Sequence, residues 1–195
     1  SCYAMRNLLN EMQNKFFHDY KIIVAAGNKA GLGLKALWPV RNAMDNPLET
    51  KSITLSCGKL TTGVSVKPWS GIFMLRNISS PETYFQSAFR VQTPWEINNP
   101  DSKSPNKKDI LKHNCYVFDF APNRALRLIS DYSCRLSISE NKSPEQKVQE
   151  FIQFLPVLSY DGYKMYEISA GEVLEIALSG ESATMLARRW DAAAL

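Results

Sequence analysis

The 195-residue chain has no apolar run approaching the ~18 residues that a membrane span needs, and no leader-like segment opens it. The expectation is therefore a cytoplasmic protein that does not engage a membrane. Histidine is scarce, with two residues. The four cysteines, Cys2, Cys57, Cys115 and Cys134, make no CxxC pair, so neither zinc-ligand spacing nor a disulfide framework is signalled. Thiols so dispersed are expected as small buried side chains in a reducing compartment. A phosphate-binding loop is lacking as well. The glycine-rich GNKAGLG of residues 27–33 matches neither GxxxxGKS/T nor GxGxxG, and no acidic pair follows a strand as a metal-binding motif would. That stretch reads as a flexible connection. There is no internal repeat and no low-complexity run. The net charge of +4 permits contact with nucleic acid without arguing for it. An apolar content of 45% is ordinary for a globular protein, and a chain of this length buries roughly 70% of its unfolded surface.

What is present is concentrated between Lys51 and Trp95. KSITLS is a β-branched run suited to a strand. CGKLTTGVSVKPWS, rich in Gly, Thr, Ser and Lys, reads as a functional loop. GIFMLRN is apolar on both faces, which predicts a strand inside a parallel sheet. ISSPETYFQSAFRVQ carries helix-start signals: Ser79 or Ser80 as N-cap, Pro81 in the first turn and Glu82 at the positive end of the dipole. Gln86 and Arg90 stand four residues apart, on one face, and the helix must stop before Pro94.

This order of parts resembles the second RecA-like domain of superfamily 2 helicases of the DEAD/DEAH type, in particular the helicase-like motor subunits of type I and type III restriction systems. KLTTGVSV with the later Pro68 looks like their motif V, and SPETYFQSAFRVQ like their motif VI, QxxxRxxR. The likeness covers Lys51 to Trp95 and extends plausibly from the N-terminus to about Ser137. Two positions depart from the pattern: Ser65 stands where the family often has Asp, and Thr93 where a second arginine closes motif VI. The resemblance implies an α/β fold with a RecA-like parallel sheet flanked by helices over residues 1–137, lacking its first strand. Residues 138–195 would form a mainly helical extension.

The remaining chain is read from its own pattern. Apolar residues at 2, 5, 8, 9, 12 and 16 predict an N-terminal helix, which in the resembled family follows a strand that this chain does not have. YKIIVAAG predicts a buried strand, and LKALWPVRNAMDN a helix with Pro39 as an irregularity. Residues 96–113 have three breakers and little apolar content, so a mobile loop is expected; its lysines 103, 107, 108 and 112 have the charge to track phosphates, although a solvated surface is the commoner outcome. NCYVFDFA predicts a strand and PNRALRLISDYSCRL a helix. Beyond Ser139, KVQEFIQFL predicts a helix, and LSYDGYKMYEIS either a hairpin around Asp161-Gly162 or, equally, two short extended pieces. SAGEVLEIALSG and ESATMLARRWDAAAL predict helices, the first closed by Gly180.

The resemblance also implies roles. Arg90 has the place of an arginine finger and Gln86 that of a residue orienting the phosphate or the attacking water, both completing an ATP site whose Mg2+ and phosphate loop belong mainly to an absent first motor domain. Thr61, Thr62 and Gly63, with charge from Lys59, would clamp a nucleic-acid backbone, DNA being the expected polymer; a turn with internal hydrogen bonds is the plainer alternative. Trp69 is expected as a partly buried core residue rather than a base-stacking one, and Arg76 lies where doubly wound sheets place ligands. The implied partners are an upstream RecA-like domain of the same polypeptide and a nuclease or methyltransferase module. The isolated chain is expected to be inactive. Two rivals stand beside this reading. One is a noncatalytic interaction domain with a degenerate helicase fold. The other is a PD-(D/E)xK-type nuclease built on Asp131, Glu145, Gln146 and Lys147, although both of those segments look helical.

Overall fold

A computed structural model describes residues 2–27, 34–61, 63–136, 141–160 and 162–179. The architecture is mixed α/β, with short sheets and helices. The chain divides into two compact units, Ser1–Ile72 with Gln86–Val117, and Phe73–Phe85 with Phe118–Leu195.

In the first unit, β1 (Lys21–Ala25) and β2 (Ser52–Ser56) pair in parallel, with Ile23 opposite Thr54. Parallel strands need a crossover, and α2 (Leu34–Ala43) lies between them in sequence. Its residues Ala36, Leu37 and Val40, with Met44 just beyond, fall at helical spacing and are buried with Ile23 and Ala25. Pro39 sits inside this helix, as its sequence position required. The loop after β2 is unexpectedly apolar on its inner side. Leu60, Val64 and Val66 complete the same core, and Trp69 packs against it half-buried. Burial of one such aliphatic side chain is worth about 1.5–3 kcal/mol, so this loop is anchored although it has no regular structure.

The N-terminal pattern gives a shorter helix than its period predicts. α1 spans Cys2–Leu9, and a 3-10 helix follows over Met12–Phe17. The Asn14 side chain donates to the Leu8 carbonyl at 2.6 Å, satisfying an end that the continuing helix would have used. Met12 and Phe16, placed by periodicity on a buried face, are 82% and 73% exposed.

Residues 96–113 are also corrected. They fold as an antiparallel hairpin of β4 (Glu96–Asn98) and β5 (Lys108–Ile110), with Ile97 opposite Asp109. Polar contacts replace the missing apolar ones: Lys108 pairs with Glu96 at 2.8 Å, and Asn99 bonds Asp109.

β3 (Gly71–Met74) pairs with β6 (Tyr116–Asp119). Among the described residues each sheet contains two strands, so the interior parallel strand expected of GIFMLRN is not seen. Phe73 is 58% exposed and stacks on Phe118 at 4.7 Å between ring centres.

α3 (Pro81–Ala88) begins in the second unit, while its last turn and the 3-10 turn over Phe89–Gln92 that continues it belong to the first. Ser80 is its N-cap: the hydroxyl oxygen accepts from the Thr83 amide at 3.2 Å and donates to Glu82. α4 (Pro122–Leu136) buries Ala125, Leu126, Leu128, Ile129 and Ser133. α5 (Pro144–Phe154) starts at a capping box, Ser143 with Gln146. Phe85, Tyr132 and Phe151 form an aromatic core here, with ring centres 4.4–5.7 Å apart. The expected hairpin is present as antiparallel β7 (Leu158–Tyr160) and β8 (Met165–Glu167), although Asp161 at its tip lies outside the described residues. α6 (Ala170–Ser179) packs on α4 and α5 through Val173 and Ile176. The sequence boundary at residues 137 and 138, Gly180 and the last predicted helix also fall outside the described residues. No described helix is long and apolar enough to cross a membrane.

Candidate functional site

The two motif-like stretches meet in the first unit. After β2 the chain turns at Gly58, whose φ of +82° is left-handed. The Thr61 hydroxyl donates to the Gly58 carbonyl at 2.7 Å. Gly63 is the next left-handed residue, with φ +67°, and a Cβ placed there would meet no atom within 4 Å. Glycine is therefore needed here for backbone conformation rather than for a close approach already occupied.

Arg90, one helical turn after Gln86, reaches this loop. Its Nε donates to the Thr61 carbonyl at 2.7 Å and to the Gln86 carbonyl at 3.1 Å, and its Nη1 to the Val64 carbonyl at 2.8 Å. A guanidinium has its donors in a fixed fork, so two carbonyls three residues apart fit it where a lysine would serve only one direction well. The Gln86 side chain is exposed. Lys59 turns toward the end of β1 and donates to the Gly27 carbonyl. Thr62 lies outside the described residues.

A second cation holds the far half of the same loop. Lys112 donates from Nζ to the carbonyls of Lys67 and Trp69, both at 2.9 Å, and of Val91 at 2.7 Å. An ammonium has three donors, and all three are used. Burial pushes its pKa below the ordinary lysine value, with the nearby Cys115 acting in the opposite direction. The sequence pattern groups Lys112 with three neighbouring lysines, as a solvated surface first and a phosphate track second. Its actual partners are main-chain oxygens, which no side-chain pattern reveals. Of those neighbours, Lys107 donates to the Ser102 carbonyl, and Lys108 is paired with Glu96.

The structure thus brings together Thr61, Gly63, Gln86 and Arg90, adds Lys112, and leaves the loop's shape fixed from two sides. Arg76 is exposed after β3. The nuclease alternative loses its geometry: Asp131 is on α4, whereas Glu145, Gln146 and Lys147 are in the first turns of α5, with Gln146 occupied by the capping box. That chemistry needs its acids and lysine on adjacent strands around a metal. Among the described residues no group of three or more His, Cys, Asp or Glu side chains is placed to hold a metal ion.

The second unit holds a separate buried polar cluster at the end of β6. Asp119 accepts from Arg124 Nη2 at 2.7 Å and from the Ala121 amide at 2.8 Å, and Arg124 Nη1 reaches Asn77 at 3.0 Å. Tyr84 is buried beside it. Burial, followed by the negative charge of Asp119, pushes its phenol well above the ordinary tyrosine range. The hydrogen bond and turn at Asp119 tie β6 to the start of α4, a structural use.

Comparison with known proteins gives one informative match. The chain is 33% identical over 159 residues, 80% of its length, to a protein of Mycoplasma pneumoniae described as the C-terminus of a putative type II restriction enzyme and methyltransferase. It spans 21% of that relative's length. No protein-family model matches the chain, and no solved structure does.

Proposed function

We propose that this chain is the second, RecA-like motor domain of an ATP-dependent helicase or translocase acting on DNA, within a restriction-modification protein. The observation that carries the reading is the meeting of the two motif-like stretches, in which Arg90 bonds the backbone on both sides of Gly63. A motor of this class has to transmit the state of its nucleotide to its grip on the polymer. A side chain bonded to the gripping loop is a direct means of doing so. The restriction enzyme and methyltransferase relative supports the setting and makes a nuclease or methyltransferase module a reasonable companion.

On this reading Gln86 and Arg90 face the nucleotide when an upstream RecA-like domain closes, and the loop from Lys59 to Gly63 contacts the DNA backbone. Among the described residues no group of three or more His, Cys, Asp or Glu side chains gathers to hold a metal ion. On this reading Mg2+ and the phosphate loop belong to the upstream domain, and the chain alone is expected to hydrolyse no ATP.

A second reading has its own observation. Arg90 places Nε and Nη1 on carbonyls, and Thr61 bonds back to Gly58, as in a turn that serves only itself. A noncatalytic interaction domain with a degenerate helicase fold would have that arrangement. Gln86 separates the two readings, because its side chain is exposed and its carbonyl survives substitution. In the full-length parent, Gln86→Ala is expected to lower kcat for DNA-stimulated ATP hydrolysis by roughly 10–100-fold. The melting temperature of the chain and the salt dependence of DNA binding should stay unchanged. Unaltered kcat in this variant would favour the interaction domain.

A further inference from the structure

Cys2 and Cys57, 55 residues apart in sequence, lie in the first unit with their Sγ atoms 3.1 Å apart. Cys2 is buried at the start of α1, and Cys57 is exposed at the end of β2, where the Thr-Gly loop begins. A disulfide bond is about 2.05 Å long, so the pair closes with a shift of about 1 Å, within the reach of small side-chain rotations. One thiol faces solvent and its partner is shielded behind it, which is the arrangement of an attacking cysteine with a resolving one. Desolvation raises the pKa of Cys2, so the buried thiol waits protonated while the exposed one meets the oxidant.

We propose that Cys2 and Cys57 form a reversible dithiol–disulfide site, oxidised by a small-molecule disulfide of the glutathione class. The Cys57 thiolate attacks one sulfur of the small disulfide. A new S–S bond forms, the old one breaks, and one small thiol leaves. Cys2 then gives up its proton to solvent, its thiolate attacks Cys57 Sγ, and the second small thiol departs. The protein loses two protons and two electrons, and the small disulfide takes up two of each to become two thiols, so the step balances. The product ties the start of α1 to the root of the loop that Arg90 and Lys112 hold farther along. The site stands on the geometry of the two thiols and is independent of the motor reading.

The test uses the folded full chain incubated with oxidised glutathione, quenched in acid, alkylated and mapped by mass spectrometry. The expected result is a linked pair of peptides containing Cys2 and Cys57, with Cys115 and Cys134 alkylated, and recovery of all four thiols after reduction. Cys57→Ser should abolish the linked peptide. Cys2→Ser, and Cys2→Ala as a second variant in case the buried hydroxyl disturbs packing, should leave Cys57 carrying glutathione. Two results would overturn the proposal: wild-type protein that holds glutathione on Cys57 while Cys2 remains open to alkylation, or links to Cys115 or Cys134 in amounts similar to the Cys2–Cys57 link.

Discussion

Arg90 and Val64, 26 residues apart in the chain, are joined by a hydrogen bond of 2.8 Å from the guanidinium Nη1 to a main-chain carbonyl. With the 2.7 Å bond from Nε to the Thr61 carbonyl, this contact gives Arg90 a structural task of its own.

Arg90→Ala is therefore expected to destabilise the isolated chain. Carbonyls of partly buried neighbours lose a charged donor, a change worth about 2 kcal/mol and a fall of roughly 4–8 °C in Tm. Protease cleavage within residues 57–70 should accelerate. An unchanged Tm with unchanged cleavage would mean that the guanidinium bonds contribute nothing to the loop. Because Arg90 is structural in this way, any functional defect of an Arg90 variant needs the stability measurement beside it.

Gly63→Ala is expected to cost about 1–2 kcal/mol, the ordinary penalty of a left-handed conformation for a residue with a side chain. Its backbone is at φ +67° and the added methyl meets no atom within 4 Å, so conformation is the whole cost. Gly63→Asn should recover part of it, since asparagine tolerates that region. Chemical denaturation of the three proteins decides the matter. A cost well above 2 kcal/mol would point to a steric neighbour that the static structure does not contain.

Tyr84 gives a pH dependence whose sign follows from its raised pKa. The folded state favours the neutral phenol, so this contribution to stability is fully present below the unfolded value of about 10. Above that pH the unfolded chain releases the proton while the folded chain still holds it. Stability then falls as pH rises toward and through the folded value. Urea unfolding on the two sides of this window should show a larger loss for the wild type than for Tyr84→Phe. Equal losses would mean that Tyr84 titrates as an exposed phenol does.

The elements built on apolar period were legible in the sequence. YKIIVAAG, LKALWPVRNAMDN and PNRALRLISDYSCRL each fold near their predicted limits, because their buried faces are written in side chains. The hairpin of residues 96–113 was not legible. Its strands are three residues each, and its order comes from Glu96–Lys108, Asn99–Asp109 and serine-to-backbone bonds, which composition alone reads as solvated loop. The N-terminal helix was overextended because the apolar period runs on through Met12 and Phe16 after α1 has ended at Leu9. In the candidate site, the residue types and their order were legible, whereas the partners were not. Arg90 and Lys112 end on main-chain carbonyls, which every residue possesses and no sequence pattern marks.

That choice of partners changes how the loop meets an approaching charge. In an ion pair a cation is cancelled by its carboxylate, and the field beyond the pair is weak. Arg90 and Lys112 have no carboxylate among their described partners, only carbonyl dipoles, which hold the side chains in place without neutralising them. Acid that protonates carboxylates leaves both clamps intact. The loop is thus stitched down by two cations whose charge is still unspent, and any polyanion reaching residues 58–69 meets that charge already fixed in position.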